Sequence, residues 1–401
     1  MKTLIVSPRY PLPEVSGGDM RTMHFARYFA KKGSVDIAFC GPSDEKADDE
    51  NIFRAVLPLA RSLGKSFRSD FVRGLVYGAP LPVFLFSASE VDRFNDHVAR
   101  EDYDVIVVRN AYMAGLVLSI PESFRRRILA DLDDDITASL YDSTMIGGAT
   151  NPILRYLLEK NRSRLKVFEK RCLNLGATSV CTPADQERLI AADGRKPALL
   201  PNIYRSEYFD GREMENGFAE PHNLLFVGTL NYSPNVHGLC WFIEWVFPEF
   251  QKKFPDSTLT VVGRSPGSEL RSVCQANEAV TLHADPENLV EFYLRCRAVI
   301  VPLLAGGGTR IKILEAALAQ RPVLSTPIGA EGLALQDGDE ILLFSSAKDF
   351  IRGYESLSDG LSYNRMVRRT LKVVGDRYSV EAFERCLSEV VDQIKANRSL
   401  A

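Results

Sequence analysis

Several things are scarce in this 401-residue chain, and each scarcity closes off a class of function. Its seven cysteines are odd in number, scattered and free of any C-x-x-C pair. That argues against a disulfide framework or a zinc ribbon and for reduced thiols in a cytosolic protein. The five histidines, His24, His97, His222, His237 and His283, show no metal-ligand spacing, and a lone histidine makes a poor catalyst. Charge of one sign is also lacking, the formal net charge being −3. Residues 1–200 carry 28 basic and 26 acidic side chains, and residues 201–401 carry 21 and 26. So weak an asymmetry gives no reason to expect a nucleic-acid partner, though it permits a local basic patch on the first half. No apolar run approaches the ~20 residues that cross a bilayer. The opening Met1-Lys2-Thr3-Leu4-Ile5-Val6-Ser7-Pro8 has no signal-peptide h-region and reads as a first strand. A cytoplasmic protein follows, with any membrane contact peripheral.

What is present is α/β patterning. Short apolar runs alternate with longer amphipathic segments, the signature of helices crossing over parallel sheets. In the first half the strand candidates are 4–7, 35–40, 105–108, 128–132 and 179–181, with a helix over 19–32. In the second half they are 224–227, 259–262, 280–282, 299–301, 323–325 and 341–344, with helices over 236–250, 286–296 and 310–320. Trp241 and Trp245, spaced i, i+4, read as core of the 236–250 helix. A terminal helix covers about 380–396, and the turn-rich stretch 200–221 reads as a linker. The length suits two domains. Two doubly wound halves would bring the carboxyl ends of both sheets to one cleft, where ligands of such sheets bind.

The most informative segment is Gly306-Gly307-Gly308-Thr309-Arg310-Ile311-Lys312-Ile313-Leu314-Glu315. It follows the strand run 298–304 and opens a helix, so glycine-loop N–H groups and a helix dipole converge on one spot. Arg310 and Lys312 fall in the expected first turn, where the dipole disfavours positive charge. Cations so placed mark a phosphate site, here the diphosphate of a nucleotide.

This run, together with Phe226-Val227-Gly228-Thr229, Val261-Val262-Gly263-Arg264 and Thr326-Pro327-Ile328-Gly329-Ala330-Glu331-Gly332, resembles the donor half of the retaining GT-B glycosyltransferases of group 1, or family 4. Gly17-Gly18, Arg21 and Leu200-Pro201-Asn202 fit the first half more sparsely. The G-G-G-T-R-I-K-I-L-E form resembles an exopolysaccharide and surface-glycan branch. The resemblance implies two Rossmann-like doubly wound α/β domains facing a central cleft. Residues 1–200 would form the acceptor side and 201–376 the nucleotide-sugar donor side, with the terminal helix, about 377–401, crossing back. It implies retaining transfer of a sugar from a nucleotide diphosphate sugar to a glycan or lipid-linked acceptor. No metal or other cofactor is implied, since cations and a helix N-terminus neutralise the leaving diphosphate. Gly18, Gly228, Gly263, Arg264, Gly307, Gly308, Thr309, Arg310, Lys312 and Glu315 are the implied donor contacts. Arg310, Lys312 and Asp133 are the implied catalytic groups.

Glu315 matches the second glutamate of the family's E-x7-E motif and would accept hydrogen bonds from the ribose diol. The bland alternative is an i,i+3 pair with Lys312. Two departures stand out. The first glutamate of E-x7-E is Gly307 here, and the arginine and lysine that many relatives carry after the first donor-half strand are replaced by Thr229, Leu230 and Asn231. Arg310 and Lys312 would take over the phosphate role.

Three readings of Asp131-Leu132-Asp133-Asp134-Asp135 remain open: Asp133 lining the active site, an acidic cap on a helix over 136–141, or a metal-binding D-x-D of the GT-A kind. Gly17 and Gly18 read as a loop ahead of the first helix, either approaching a ligand or serving as a plain turn. Lys65–Tyr77 mixes Phe67, Phe71 and Leu75 with basic residues. It is a candidate peripheral membrane contact, the rival being a helix packed on its own domain. Arg125-Arg126-Arg127 adds further positive charge, the rival being a plain solvated face. The rival functions are a degenerate transferase kept as a sugar-nucleotide-binding or assembly partner, and a same-fold sugar-nucleotide epimerase.

Overall fold

A computed structural model describes residues 1–14, 16–41, 51–60, 86–133, 152–190, 194–204, 222–306 and 309–399. Within them the chain divides into two compact units. One holds the residues up to Pro201 together with the final helix, Val380–Ser399, and the other runs from Asn202 to Ser379. Gly307, Gly308, Asp134, Asp135, the 136–141 helix, most of the linker and Lys65–Tyr77 lie outside the described residues.

The first unit is built on the strands β1 (Lys2–Ser7), β2 (Ser34–Cys40), β3 (Phe53–Leu59), β4 (Val105–Arg109), β5 (Ile128–Asp133), β6 (Ala177–Val180) and β7 (Ala198–Leu199). They pair in parallel in the order β3-β2-β1-β4-β5-β6-β7. Both faces are covered, which is why β1 and β4 are continuous apolar runs with Leu4, Ile5, Val6, Ile106 and Val107 at 0% exposure. Sequence patterning misses β3 and β7. β3 lies at the sheet edge, is only partly buried, and carries Arg54 and Pro58, so it lacks the apolar run of a central strand. β7 is two residues long.

The second unit repeats the plan with β8 (Asn223–Thr229), β9 (Thr258–Arg264), β10 (Val280–Ala284), β11 (Ala298–Val301), β12 (Val323–Ser325) and β13 (Leu342–Leu343). Their order is β10-β9-β8-β11-β12-β13, again all parallel. In each sheet the order reverses at its first strand. The switch points therefore fall between the carboxyl ends of β1 and β4 in one unit and of β8 and β11 in the other.

The helices differ from expectation in three places. Gly17 and Gly18 are not a loop. They open the Gly17–Ala30 helix, because Ser16 and Asp19 form a reciprocal capping box that starts it at Gly17. The expected 236–250 helix starts at Ser233 and is interrupted by a π-helical turn over Phe242–Val246 before resuming as Phe247–Lys253. The wider turn keeps Phe242, Ile243, Val246 and Phe247 inward and swings Trp245 out, to 68% exposure. Trp245 is thus surface rather than core, whereas the Trp241 ring stacks on Phe344, 6.2 Å between centroids. Third, the expected 286–296 helix is shorter, Val290–Arg295.

Candidate nucleotide-sugar site

The second switch point is where the chemistry collects. After β8 the chain turns through Leu230 into the Ser233–Trp241 helix, and after β11 it runs through Gly306 into the Ile311–Leu318 helix. Gly306 has φ +110, a left-handed conformation that favours glycine. Arg310 is the N-cap, with non-helical ψ, and not a first-turn residue as the sequence suggests. Its guanidinium turns back across the loop, donating to the Gly306 carbonyl at 2.7 Å and the Ile328 carbonyl at 3.5 Å, and is 7% exposed.

Lys312, the second residue of the helix, sends Nζ toward the end of β8. It donates to Asn235 Oδ1 at 3.1 Å and lies 4.2 Å from the Phe226 ring centroid. Burial, reinforced by the neighbouring Arg310 charge, pushes the Lys312 ammonium down from 10.5 to about 7, with Glu315 opposing. Gly228 makes this approach feasible. A Cβ there would lie 2.9 Å from Asn235 Nδ2 and 3.0 Å from Lys312 Nζ. Gly263 pairs with Gly228 across the β8–β9 ladder, and a Cβ on it would stand 1.7 Å from the Gly228 carbonyl oxygen. Arg264 is exposed at the end of β9, and its carbonyl accepts from the Leu230 N–H at 2.8 Å.

Glu315 does not make the i,i+3 hydrogen bond to Lys312 that the helix spacing offers. Its Oε2 accepts from the Tyr293 hydroxyl at 2.6 Å instead. Burial raises the Glu315 carboxyl above its ordinary value, while this hydrogen bond and the Lys312 charge pull it down. Thr309 Oγ1 is buried without a hydrogen-bond partner among the described residues. Beyond the loop, Thr326 caps the short Pro327–Ala330 helix by accepting from the Gly329 N–H at 3.0 Å. The unit thus gathers two cations and one carboxylate around a helix N-terminus, an arrangement suited to a diphosphate next to a diol.

Asn235 and Tyr293, which contact these groups, are not flagged by sequence reasoning, and Phe226 enters it only as part of a strand motif. Asn235 sits 77 residues from Lys312, and no local motif announces it.

In the first unit, Asp133 and Gly18 belong to a separate buried network. Asp131, 0% exposed, accepts from Arg21 at 2.7 and 2.8 Å, from Ser179 Oγ at 2.7 Å and from Arg109. Arg109 is 1% exposed and extends to Thr22 Oγ1 at 3.2 Å, the Gly18 carbonyl at 3.4 Å and Asp133 Oδ2 at 3.4 Å. Burial lowers the Arg109 guanidinium to about 10, against the opposing pull of Asp133. Asp133 itself has φ +70 at the end of β5, with its side chain 24% exposed. A cavity of about 480 Å³ opens at the β1–β4 switch point, lined among others by Ser7, Arg9, Gly18, Asp19, Arg109 and Asn110. Among the described residues no group of His, Cys, Asp and Glu is arranged to hold a metal ion.

The family model for "Glycosyl transferases group 1" matches residues 221–359, the body of the second unit. A protein from the cps region of Klebsiella pneumoniae is 32% identical over 376 residues, covering 90% of this chain and 92% of that one. The chain belongs to the group 1 glycosyltransferases. Its fold is GT-B. The sucrose-phosphate synthase of Thermosynechococcus elongatus superposes with a TM-score of 0.72 at 16% identity, covering 99% of this chain and 100% of that one. Anabaena HepE in complex with UDP does so at 0.69 and 14%, covering 98% and 100%. In this glycosyltransferase the matched region contains Gly228, Asn235, Gly263, Tyr293, Arg310, Lys312 and Glu315 together. Gly18, Arg21, Arg109, Asp131 and Asp133 lie outside it. No helix of the described residues is long and apolar enough to cross a membrane.

Proposed function

We propose that this glycosyltransferase moves a sugar from a nucleoside diphosphate sugar to a hydroxyl of a glycan or lipid-linked acceptor, with retention at the anomeric carbon and without a metal. The observation that carries the reading is the placement of Lys312 Nζ and the Arg310 guanidinium at a helix N-terminus on the β8–β11 switch point. A departing diphosphate develops negative charge, and preorganised cations plus backbone N–H groups stabilise it without reorganising. Glu315 is read as the ribose ligand. Gly228, Gly263, Arg264 and Thr309, with Gly307 and Gly308 of the glycine run, are read as donor contacts.

The acceptor is assigned to the first unit, where the Arg109-tethered Asp133 stands at the carboxyl end of β5, while Gly18 keeps its reading as a donor contact. Asp133 is the group proposed to act there, beside the acceptor hydroxyl. A role in surface-polysaccharide assembly is favoured by the relative from a cps region, and the cytoplasm, with peripheral contact at the membrane, is its proposed place. UDP is the first nucleotide to try, because HepE was determined with it.

A thermal-shift panel of UDP, GDP, dTDP and ADP with chelator present tests the donor site, with at least one nucleotide expected to stabilise the protein. Absence of any shift would count against the reading. Turnover of the matching sugar nucleotide, with the anomeric configuration of the product read by NMR, tests transfer and retention.

A further inference from the structure

Asn235 joins the two sides of the second switch point. It is 7% exposed on the Ser233–Trp241 helix. Its Nδ2 donates to the Thr229 carbonyl at 2.9 Å, while Lys312 Nζ donates to its Oδ1 at 3.1 Å. The partners fix the amide orientation by chemistry. A carbonyl only accepts and an ammonium only donates, so the flipped amide would set oxygen against oxygen and N–H against N–H. The second neighbour of Nζ, the Phe226 ring face, is uncharged too.

The charged groups acting on Lys312 are Arg310 and Glu315, both on its own segment. Glu315 is engaged by Tyr293. What faces Nζ from β8 and from the Ser233–Trp241 helix is Phe226, Gly228 and Asn235, none of them titratable. Lys312 forms no ion pair among the described residues. Its position is held by a neutral amide, where a carboxylate of the same shape would have neutralised it.

We propose that Asn235 is a positioning residue of the diphosphate site, fixing Lys312 Nζ at the end of β8 through a neutral partner, so that the place of a directly paired carboxylate is left for an anion to take. The proposal rests on the donor-site reading above. Its consequence is that a diphosphate entering the site draws a proton onto Lys312 near neutral pH, since burial has already depressed the free lysine to about 7. An aspartate at 235 would supply the missing counter-charge, compete with the diphosphate and lose the hydrogen bond to Thr229. A leucine there would remove both hydrogen bonds while keeping the volume close.

Calorimetric titration of UDP into the full chain tests this, in buffers of different ionisation heat, at about pH 6 and about pH 8.5. The wild type is expected to take up protons on binding at about pH 8.5, where the free lysine is mostly neutral, and few at about pH 6. Asn235→Asp is expected to bind roughly tenfold or more weakly and to take up none, because its lysine is already charged. Asn235→Leu is expected to lose affinity mainly at the higher pH. Thermal unfolding of each variant reports whether it is folded. A merely structural role would weaken both variants alike and leave proton uptake unchanged, which would overturn the proposal. So would an Asn235→Asp protein that binds and takes up protons like the wild type. If instead the wild type binds none of the four nucleoside diphosphates, the donor-site reading itself falls.

Discussion

The Tyr293 hydroxyl holds Glu315 by a 2.6 Å hydrogen bond across the gap between the Val290–Arg295 and Ile311–Leu318 helices. One carboxylate oxygen is therefore committed within the protein, and the bond fixes the orientation of the group. Tyr293 is 1% exposed, and burial with the adjacent carboxylate raises its phenol well above the ordinary value, so it remains a donor. Tyr293→Phe is expected to raise the KM for the sugar nucleotide by roughly three- to tenfold with little change in kcat, the loss of one hydrogen bond to a charged group. Glu315→Ala should narrow the preference for UDP over its 2′,3′-dideoxy analogue. An unchanged preference in competition binding would remove Glu315 from the ribose.

Arg310 should behave differently, because in the proposed reaction its charge would be needed most when the diphosphate leaves. Arg310→Ala is expected to lower kcat by roughly tenfold to a hundredfold, the worth of a charge-assisted contact made mainly in the transition state. Arg310→Lys should recover little of it, since an ammonium cannot reproduce the guanidinium's hydrogen bonds to Gly306 and Ile328. Steady-state kinetics of the two variants checks both statements. Near-normal turnover in Arg310→Ala would refute the assignment.

Lys312 links activity, stability and pH. Its value falls from 10.5 to about 7 on folding, so between these limits the unfolded chain binds more protons and the stability of the protein rises with pH. Below about 7 the full cost of burying the cation is present. Lys312→Met is expected to melt higher than the wild type near pH 6, with the advantage shrinking toward pH 10, while losing nucleoside diphosphate affinity at every pH. Melting curves across that range, with and without UDP, test the pair. A variant that melts lower at pH 6 would show the ammonium to be stabilising.

Asp131 is the centre of the buried charge network in the first unit. Arg21 and Arg109 both end on it, at 2% and 1% exposure. Asp131→Ala would leave two guanidiniums without their shared partner, and a loss of about 3–5 kcal/mol is expected in denaturant unfolding. Asp133→Asn, by contrast, should leave stability nearly unchanged because its side chain is 24% exposed and its ion pairs are 3.4 and 3.7 Å long. Its effect should appear in turnover with acceptor and not in UDP binding.

Much of the architecture is legible without coordinates. Central strands such as β1, β4, β8 and β11 are buried on both faces, and burial of that kind writes continuous apolar runs into the sequence. The edge strand β3 escapes because solvent on one side allows Arg54 and Pro58 in it. Trp245 misleads because helical spacing places it with Trp241 only if the helix stays α, and Trp245 lies within the π turn Phe242–Val246 that follows Trp241.

For the candidate site the division has a physical cause. Sequence alone determined that a glycine turn delivers Arg310, Lys312 and Glu315 to one helix terminus, because those residues are local neighbours and helix geometry fixes their order. It could not show that Arg310 caps that helix and folds back on Gly306, nor that Glu315 turns to Tyr293 instead of Lys312. Nor could it find Asn235, or the convergence of Arg21, Arg109 and Ser179 on Asp131. Those pairings join residues far apart in the chain, and only the stacking of parallel strands, which brings successive carboxyl ends side by side, puts them within hydrogen-bond reach.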